Sequence, residues 1–299
     1  MRARQATVAS LGIVCAIATC AACTDWERFS RDLDKTQSCA TYVVVGDVHS
    51  CARTSNGTLF CWGDNRFGQL GIGDTSARDA PVVVDFSGLG ALRVYLPTGN
   101  GDLTSDLTAF TCAIASDDDL WCWGDNRFGQ LGLGPGGGAQ PAPGPSRPAK
   151  VGGLSGKPSK VTNGAGHTCV QMLDGALSCF GRNTQGQLGM GDRDPRTSPS
   201  RVDVGRPVER LAAGAEFTCA RTNDAVLFCW GANASGQLGL DNTDAQLRPA
   251  EVKALGARVG RFATGAAHAC AFTEDDGKVH CWGEALFIVS PIGRSSMSA

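Results

Sequence analysis

The chain has 299 residues, 42% of them hydrophobic, and a formal net charge of −2. That apolar content is ample for a buried core. The charge balance excludes no partner by itself, but it gives no global electrostatic reason to bind DNA, which usually shows as a basic domain or stripe, and no nucleic-acid partner is expected.

In chain order, the first element is a targeting segment. Two arginines in Met1–Arg4 precede Ala6–Ala22, an uncharged apolar run about as long as a signal-peptide core and short for a membrane span. Cys20-Ala21-Ala22-Cys23 resembles a bacterial lipobox, with Cys20 where an aliphatic residue is usual, so residues 1–23 are read as a signal peptide ending in a lipidated Cys23. The alternatives are ordinary cleavage near Ala16-Ile17-Ala18 and an uncleaved anchor. Residues 24–40 form a polar tether.

Beyond residue 40 the chain repeats itself. CWGDNRFGQLGIGD (Cys61–Asp74) returns as CWGDNRFGQLGLGP (Cys122–Pro135), CFGRNTQGQLGMGD (Cys179–Asp192) and CWGANASGQLGLDN (Cys229–Asn242). A fifth copy begins at Cys281-Trp282-Gly283 and then loses the pattern. A period of this length marks one supersecondary unit, arrayed. Approximate module limits are 41–85, 91–150, 158–205, 207–254 and 258–290, within a repeat domain spanning 41–299. The second module is enlarged by the Pro/Gly run Gly134–Pro148, which cannot build core and is expected to be a mobile surface loop.

Of 14 cysteines, ten fall into five pairs: Cys51/Cys61, Cys112/Cys122, Cys169/Cys179, Cys219/Cys229 and Cys270/Cys281. Each pair brackets a hairpin turn such as Ser55-Asn56-Gly57 or Leu173-Asp174-Gly175. A three-residue loop ending in a left-handed residue puts Cys51 opposite Cys61. The fifth pair is one residue wider, and its turn Glu274–Gly277 is one residue longer, so Cys270 still faces Cys281. Facing residues of an antiparallel pair are close enough to bridge, and an exported chain keeps such bonds, so five disulfides are expected. Zinc and reduced core thiols are the rival readings. His49, His167 and His268 stand two residues before the first cysteine, but Phe110 and Phe217 hold that place elsewhere, and a ligand is not replaceable by phenylalanine. No metal or cofactor is expected. Cys39 is left over.

The fourth module shows the strand plan. Val208–Gly214, the hairpin Phe217–Thr222 and Val226–Trp230, a glycine-punctuated loop, and an edge segment Pro249–Val252 give up to four short strands, the content of a propeller blade.

The repeated CWGDNxxGQLGxG and the preceding GxxHTC resemble the regulator of chromosome condensation repeat family, over roughly residues 41–283. The resemblance implies an all-β fold, a β-propeller typically of seven blades, and the stapling cysteines look like those of exported bacterial members. About five blades are present here, which implies an incomplete or open arc, with a compact five-blade ring as the alternative. After Gly283 the residues EALFIVSPIGRSSMSA replace the expected GQLG, like a truncated or frame-shifted end.

The repeated Gly, Asn and Gln read as structural, because a catalytic residue should be singular. Asn65, Asn126, Asn183 and Asn233 are suited to turns, and Trp62, Trp123, Trp230 and Phe180 to packing between blades. The acidic turns Asp117–Asp119 and Glu274–Asp276 lack the order of a calcium loop, and no hydrolase or nucleotide-binding motif is present. The chain is therefore expected to be a binding protein and not an enzyme. The leading expectation is an exported, lipid-anchored scaffold of the bacterial envelope that binds an unknown protein, with secretion as the alternative location. Arg66, Phe67, Arg127 and Phe128, types enriched at interface hot spots, are the candidate contacts. The family resemblance implies two alternatives, nucleotide exchange on a small GTPase and inhibition of an enzyme. Open blade edges add an expectation of self-association.

Overall fold

A computed structural model describes residues 40–86, 88, 90–95, 109–135, 144–256 and 258–284. The expected signal peptide, Cys23, residues 24–39 of the tether with Cys39, residues 136–143 of the Pro/Gly run and the apolar tail at 286–289 lie outside the described residues, while Ala40, the last residue of the expected tether, opens the first strand.

Five antiparallel sheets follow one another along the chain, each built from consecutive strands. The first holds β1 (Ala40–Val45), β2 (His49–Thr54), β3 (Leu59–Gly63) and β4 (Arg78–Val84). The second holds β5 (Ala91–Tyr95), β6 (Phe110–Ala115), β7 (Leu120–Gly124) and β8 (Ala149–Lys150). The third holds β9 (Pro158–Asn163), β10 (His167–Met172), β11 (Leu177–Gly181) and β12 (Arg196–Val202). The fourth holds β13 (Val208–Ala213), β14 (Phe217–Thr222), β15 (Leu227–Gly231) and β16 (Gln246–Glu251). The fifth has three strands, β17 (Val259–Thr264), β18 (His268–Thr273) and β19 (Val279–Gly283).

Each hairpin forms as its turn chemistry requires. The third turn residue is left-handed at Gly57 and Gly175, with φ of 86° and 83°, and also at Asp118 and Ala225, with φ of 61° and 69°. Glycine adopts this conformation without strain, whereas Ala225 is held there by its surroundings. The resulting registers set Cys51 against Cys61, Cys112 against Cys122, Cys169 against Cys179, Cys219 against Cys229 and Cys270 against Cys281. All five pairs are bonded, with Cα atoms 4.1–4.2 Å apart. In the fifth hairpin the longer turn keeps Thr273 N bonded to Lys278 O at 2.9 Å, so the extra residue is absorbed before the cysteines are reached.

The core lies between sheets. One cluster joins the first and second through Leu59, Leu70, Val84, Val94 and Trp123. The next joins the second and third through Leu120, Leu131, Val161, Met172 and Phe180. Two more repeat the arrangement, with Leu188 and Trp230 between the third and fourth, and Leu238 and Val259 between the fourth and fifth. Five blades thus share four apolar seams, and among the described residues no cluster spans the first and fifth. The flanks differ accordingly. Tyr42, Val43 and Val45 on β1 and Phe272 and Val279 of the fifth sheet are exposed, while β6, β10 and β14 are buried along their whole length. This is a propeller arc.

Candidate functional site

Sequential pairing places the β1–β2 and β3–β4 connections, and their equivalents, on one face of the arc. This upper face carries every GQLG loop and all four candidate contact residues. The loops are braced from within. Asn65 Oδ1 accepts from Leu70 N at 2.9 Å, while its Nδ2 donates to Asp74 O and Ser76 O, both at 3.0 Å. Asn183 and Asn233 make the same three contacts with Leu188, Asp192 and Asp194, and with Leu238, Asn242 and Asp244. One buried amide therefore closes an eleven-residue excursion, a longer reach than the local turn suggested by the asparagine alone.

The braced loop then grips the next blade. Gln69 O receives Trp123 Nε1 at 2.9 Å and Thr111 Oγ1 at 2.7 Å. Gln187 O receives Trp230 Nε1 and Thr218 Oγ1 in the same way, and Gln237 O receives Trp282 Nε1. Where Phe180 replaces tryptophan, Gln130 O keeps only the hydroxyl of Thr168, at 2.8 Å. The second glycine of GQLG makes room for the incoming ring. At Gly189, with φ of 75°, an added Cβ would stand 2.8 Å from Trp230 Nε1. This packing explains the motif: glycine for approach, a backbone carbonyl for the indole, leucine for the seam, and a glutamine whose side chain braces the loop, Gln69 Oε1 accepting from Phe67 N at 2.9 Å and Gln187 Oε1 from Gln185 N at 2.8 Å.

Two histidines complete the seams. His49 Nε2 lies 2.8 Å from Thr111 Oγ1, and His167 Nε2 lies 2.9 Å from Thr218 Oγ1. Each threonine spends its one hydroxyl proton on a glutamine carbonyl, so each accepts from an Nε2–H imidazole. The Nδ1 atoms are buried with no partner among the described residues. Burial pushes His49 down to about 4, with nearby Asp64 opposing, and pushes His167 down to about 3. Both are neutral packing groups, consistent with Phe110 and Phe217 at the same position.

Of the candidate contacts, Arg66 is the most exposed, and its guanidinium is paired with Asp64 at 2.9 Å. Arg127 is paired with the buried Asp125 at 2.9 Å and lies over the Phe67 ring at 5.1 Å and the Phe128 ring at 5.8 Å. Arg182 covers Phe128 at 4.8 Å and stands 3.6 Å from Glu216 Oε1. Phe67, Arg127, Phe128, Arg182 and Glu216 thus form one half-buried row across four blades. Phe67, Arg127 and Phe128 are brought together; Arg66 stands beside the row in its own ion pair. Arg182 and Glu216 were not legible as members. Arg182 occupies the position of Asp64 and Asp125, and the only signal was that sign reversal. Each cation–ring contact contributes about 0.5–1 kcal/mol at this exposure, so the row stiffens the face as well as displaying it.

The fold defines a β-propeller-type repeat protein whose blades are joined by GQLG loops. Models of the regulator of chromosome condensation (RCC1) repeat match residues 56–94, 117–171, 174–221 and 224–272, and a second form of the repeat matches 40–69 and 208–237. These matches span more than half of the sequence, and the chain belongs to the RCC1 repeat family. The chain is 33% identical over 162 residues to the ultraviolet-B receptor UVR8 of Arabidopsis thaliana, covering 54% of this chain and 34% of that protein. It is 33% identical over 161 residues to the human E3 ubiquitin-protein ligase HERC2, covering 54% of this chain and 3% of the ligase. The chain therefore spans about a third or less of the length of these relatives. Human WBSCR16 has a similar fold, with a TM-score of 0.65 at 22% identity, over 79% of this chain and 58% of that one. Prp20p of Saccharomyces cerevisiae, described with its binding to Gsp1p and histones, follows at 0.54 and 17% identity, over 84% of this chain and 73% of its own.

Proposed function

We propose that this chain is an exported, lipid-anchored scaffold that binds a protein at the bacterial envelope through its upper face, and that it has no catalytic role. The observation that carries the reading is the preorganised row Phe67–Arg127–Phe128–Arg182–Glu216, flanked by the exposed Arg66. Arginine and aromatic side chains held rigid at partial exposure are the chemistry of interface anchors, since little rotamer freedom remains to be lost on binding. Loops that differ between blades over a constant frame supply the specificity. Export rests on the N-terminal sequence and on five disulfides, bonds that persist in an oxidising compartment. The exposed flanks of the first and fifth blades support a second contact mode, self-association along the arc.

A photo-crosslinking residue at position 66 on the upper face, against one at position 56 on the opposite face, tests the surface in cells. Adducts at 66 that are lost in the Phe67→Ala variant are expected; equal adducts from both faces refute the assignment. Cys23→Ala should release the protein from the membrane fraction, and unchanged fractionation overturns the anchor.

A further inference from the structure

The inner strands hold a second feature. Tyr42, Arg93, Lys160, Arg210 and Arg261 occupy one position of the repeat, each paired with the residue two beyond the first cysteine of its hairpin: Arg53, Ile114, Gln171, Arg221 and Phe272. Register therefore sets four cations at one level, one on each of four consecutive blades. Strands β5, β9, β13 and β17 lie against one another in that order, so the row follows the concave surface of the arc. The side chains lean from each strand to the next: Arg93 Nη1 donates to Ser159 O and Lys160 Nζ to Glu209 O, both at 2.6 Å. Burial, and then the repulsion of Arg210, lowers the Lys160 pKa; Glu209 opposes the shift and Arg93 adds a smaller repulsion, so the cations lie close enough to feel one another. The nearby acids are committed elsewhere, Glu209 to Arg221 and Glu274 to Arg258. Among the described residues no carboxylate forms an ion pair with any of the four.

Like charges drawn together with no carboxylate among the described residues paired to any of them raise the free energy of the free protein, and an anion bound among them relieves that repulsion. Three of the four are arginines, whose planar fork matches a carboxylate with two hydrogen bonds. A long polyanion is disfavoured by what surrounds the row. The row is only four cations long, and the hairpin turns at one rim carry Asp117, Asp118, Asp119, Asp174, Asp224 and Asp276, four of them paired with Lys157, Lys150, Arg206 and Lys278. A short acidic stretch fits a local cationic row inside such a rim; a nucleic-acid backbone does not.

We infer that the concave inner surface of the arc docks an acidic peptide segment of a protein partner, its carboxylates bound by Arg93, Lys160, Arg210 and Arg261. The inference rests on the protein-binding reading above, but on a different surface. The test is fluorescence anisotropy of a labelled oligo-glutamate peptide with the mature full-length protein, at about 50 and about 200 mM salt. The variants are Arg210→Gln and Arg261→Gln, neither of which removes a hydrogen bond or ion pair described above, and Arg66→Glu on the upper face. Binding should weaken with salt, fall about threefold for each inner-surface variant and about tenfold for the pair, and be unchanged in Arg66→Glu. Circular dichroism and thermal midpoints matching the parent protein would show that the variants fold. No binding at low salt, or equal binding by the double variant, overturns the inference. So does tighter binding of an oligodeoxynucleotide of equal charge. Failure of the position-66 crosslinks with peptide binding intact would sink the upper-face assignment alone.

Discussion

Acid should loosen this protein well above the pH at which its carboxylates protonate, because of His49 and His167. Both imidazoles are fully buried, donate through Nε2 to a threonine across a blade seam, and hold pKa values of about 4 and about 3. In the unfolded chain each titrates near 6.5. Above that pH neither state takes up a proton and the shifts have no effect. As pH falls below 6.5 the unfolded chain is protonated and the native state is not, so stability declines by about 1.4 kcal/mol per pH unit per histidine. At pH 5 the loss is about 2 kcal/mol for each, or about 4 kcal/mol for both. Protonation in place would make Nδ1 a buried donor with no acceptor among the described residues, which is why the native state resists it. The control is written into the repeat: Phe110 and Phe217 fill the same position and are buried. Thr111 and Thr218 keep their glutamine acceptors without the imidazoles. Urea unfolding followed by tryptophan fluorescence at pH 7.5 and pH 5.0 should show a large loss in the parent protein and a small one in His49→Phe/His167→Phe. The carboxylates act lower: Asp276, held by the Thr273 hydroxyl, has a pKa of about 2. An equal loss in both proteins would refute the reasoning.

Three further outcomes concern the seams and the exposed flanks. Gly189→Ala should cost more than 2 kcal/mol, since a left-handed alanine costs about 1–2 kcal/mol before its Cβ meets the Trp230 indole; Gly236→Ala, whose Cβ meets nothing within 4 Å among the described residues, should cost only the backbone term in the same melts. Asn183→Ala should cost roughly 2–4 kcal/mol by leaving Leu188 N and two loop carbonyls unpaired, and hydrogen exchange should show the amides of 183–196 opening first. Light scattering after size exclusion should show self-association that Val43→Lys and Val279→Lys reduce; a monodisperse parent at all concentrations would refute the sticky-flank reading.

Much of this was decided by local sequence. Side chains alternate with a period of two along a strand, so turn length alone fixes which cysteines face each other, and the matching extra residue in the Glu274–Gly277 turn made the fifth pair legible with the rest. The repeat period fixed the blades, because each Gly-rich loop restarts the same four-strand plan. The role of the motif itself was not legible. Gln69, Gln130, Gln187 and Gln237 reach the next blade through their backbone carbonyls, which carry no side-chain signature, at tryptophan and threonine residues 31–54 positions later. Arg127 and Phe128 were visible as a dipeptide, but their stacking on Phe67 and Arg182 joins three blades. The cation row was invisible for a stronger reason. Arg93, Lys160, Arg210 and Arg261 are some 50–70 residues apart in a chain of near-zero net charge, and they gain a common neighbourhood only where the inner strands converge. Local pattern specifies which face of a strand a residue takes, whereas proximity between blades is a property of how the sheets stack.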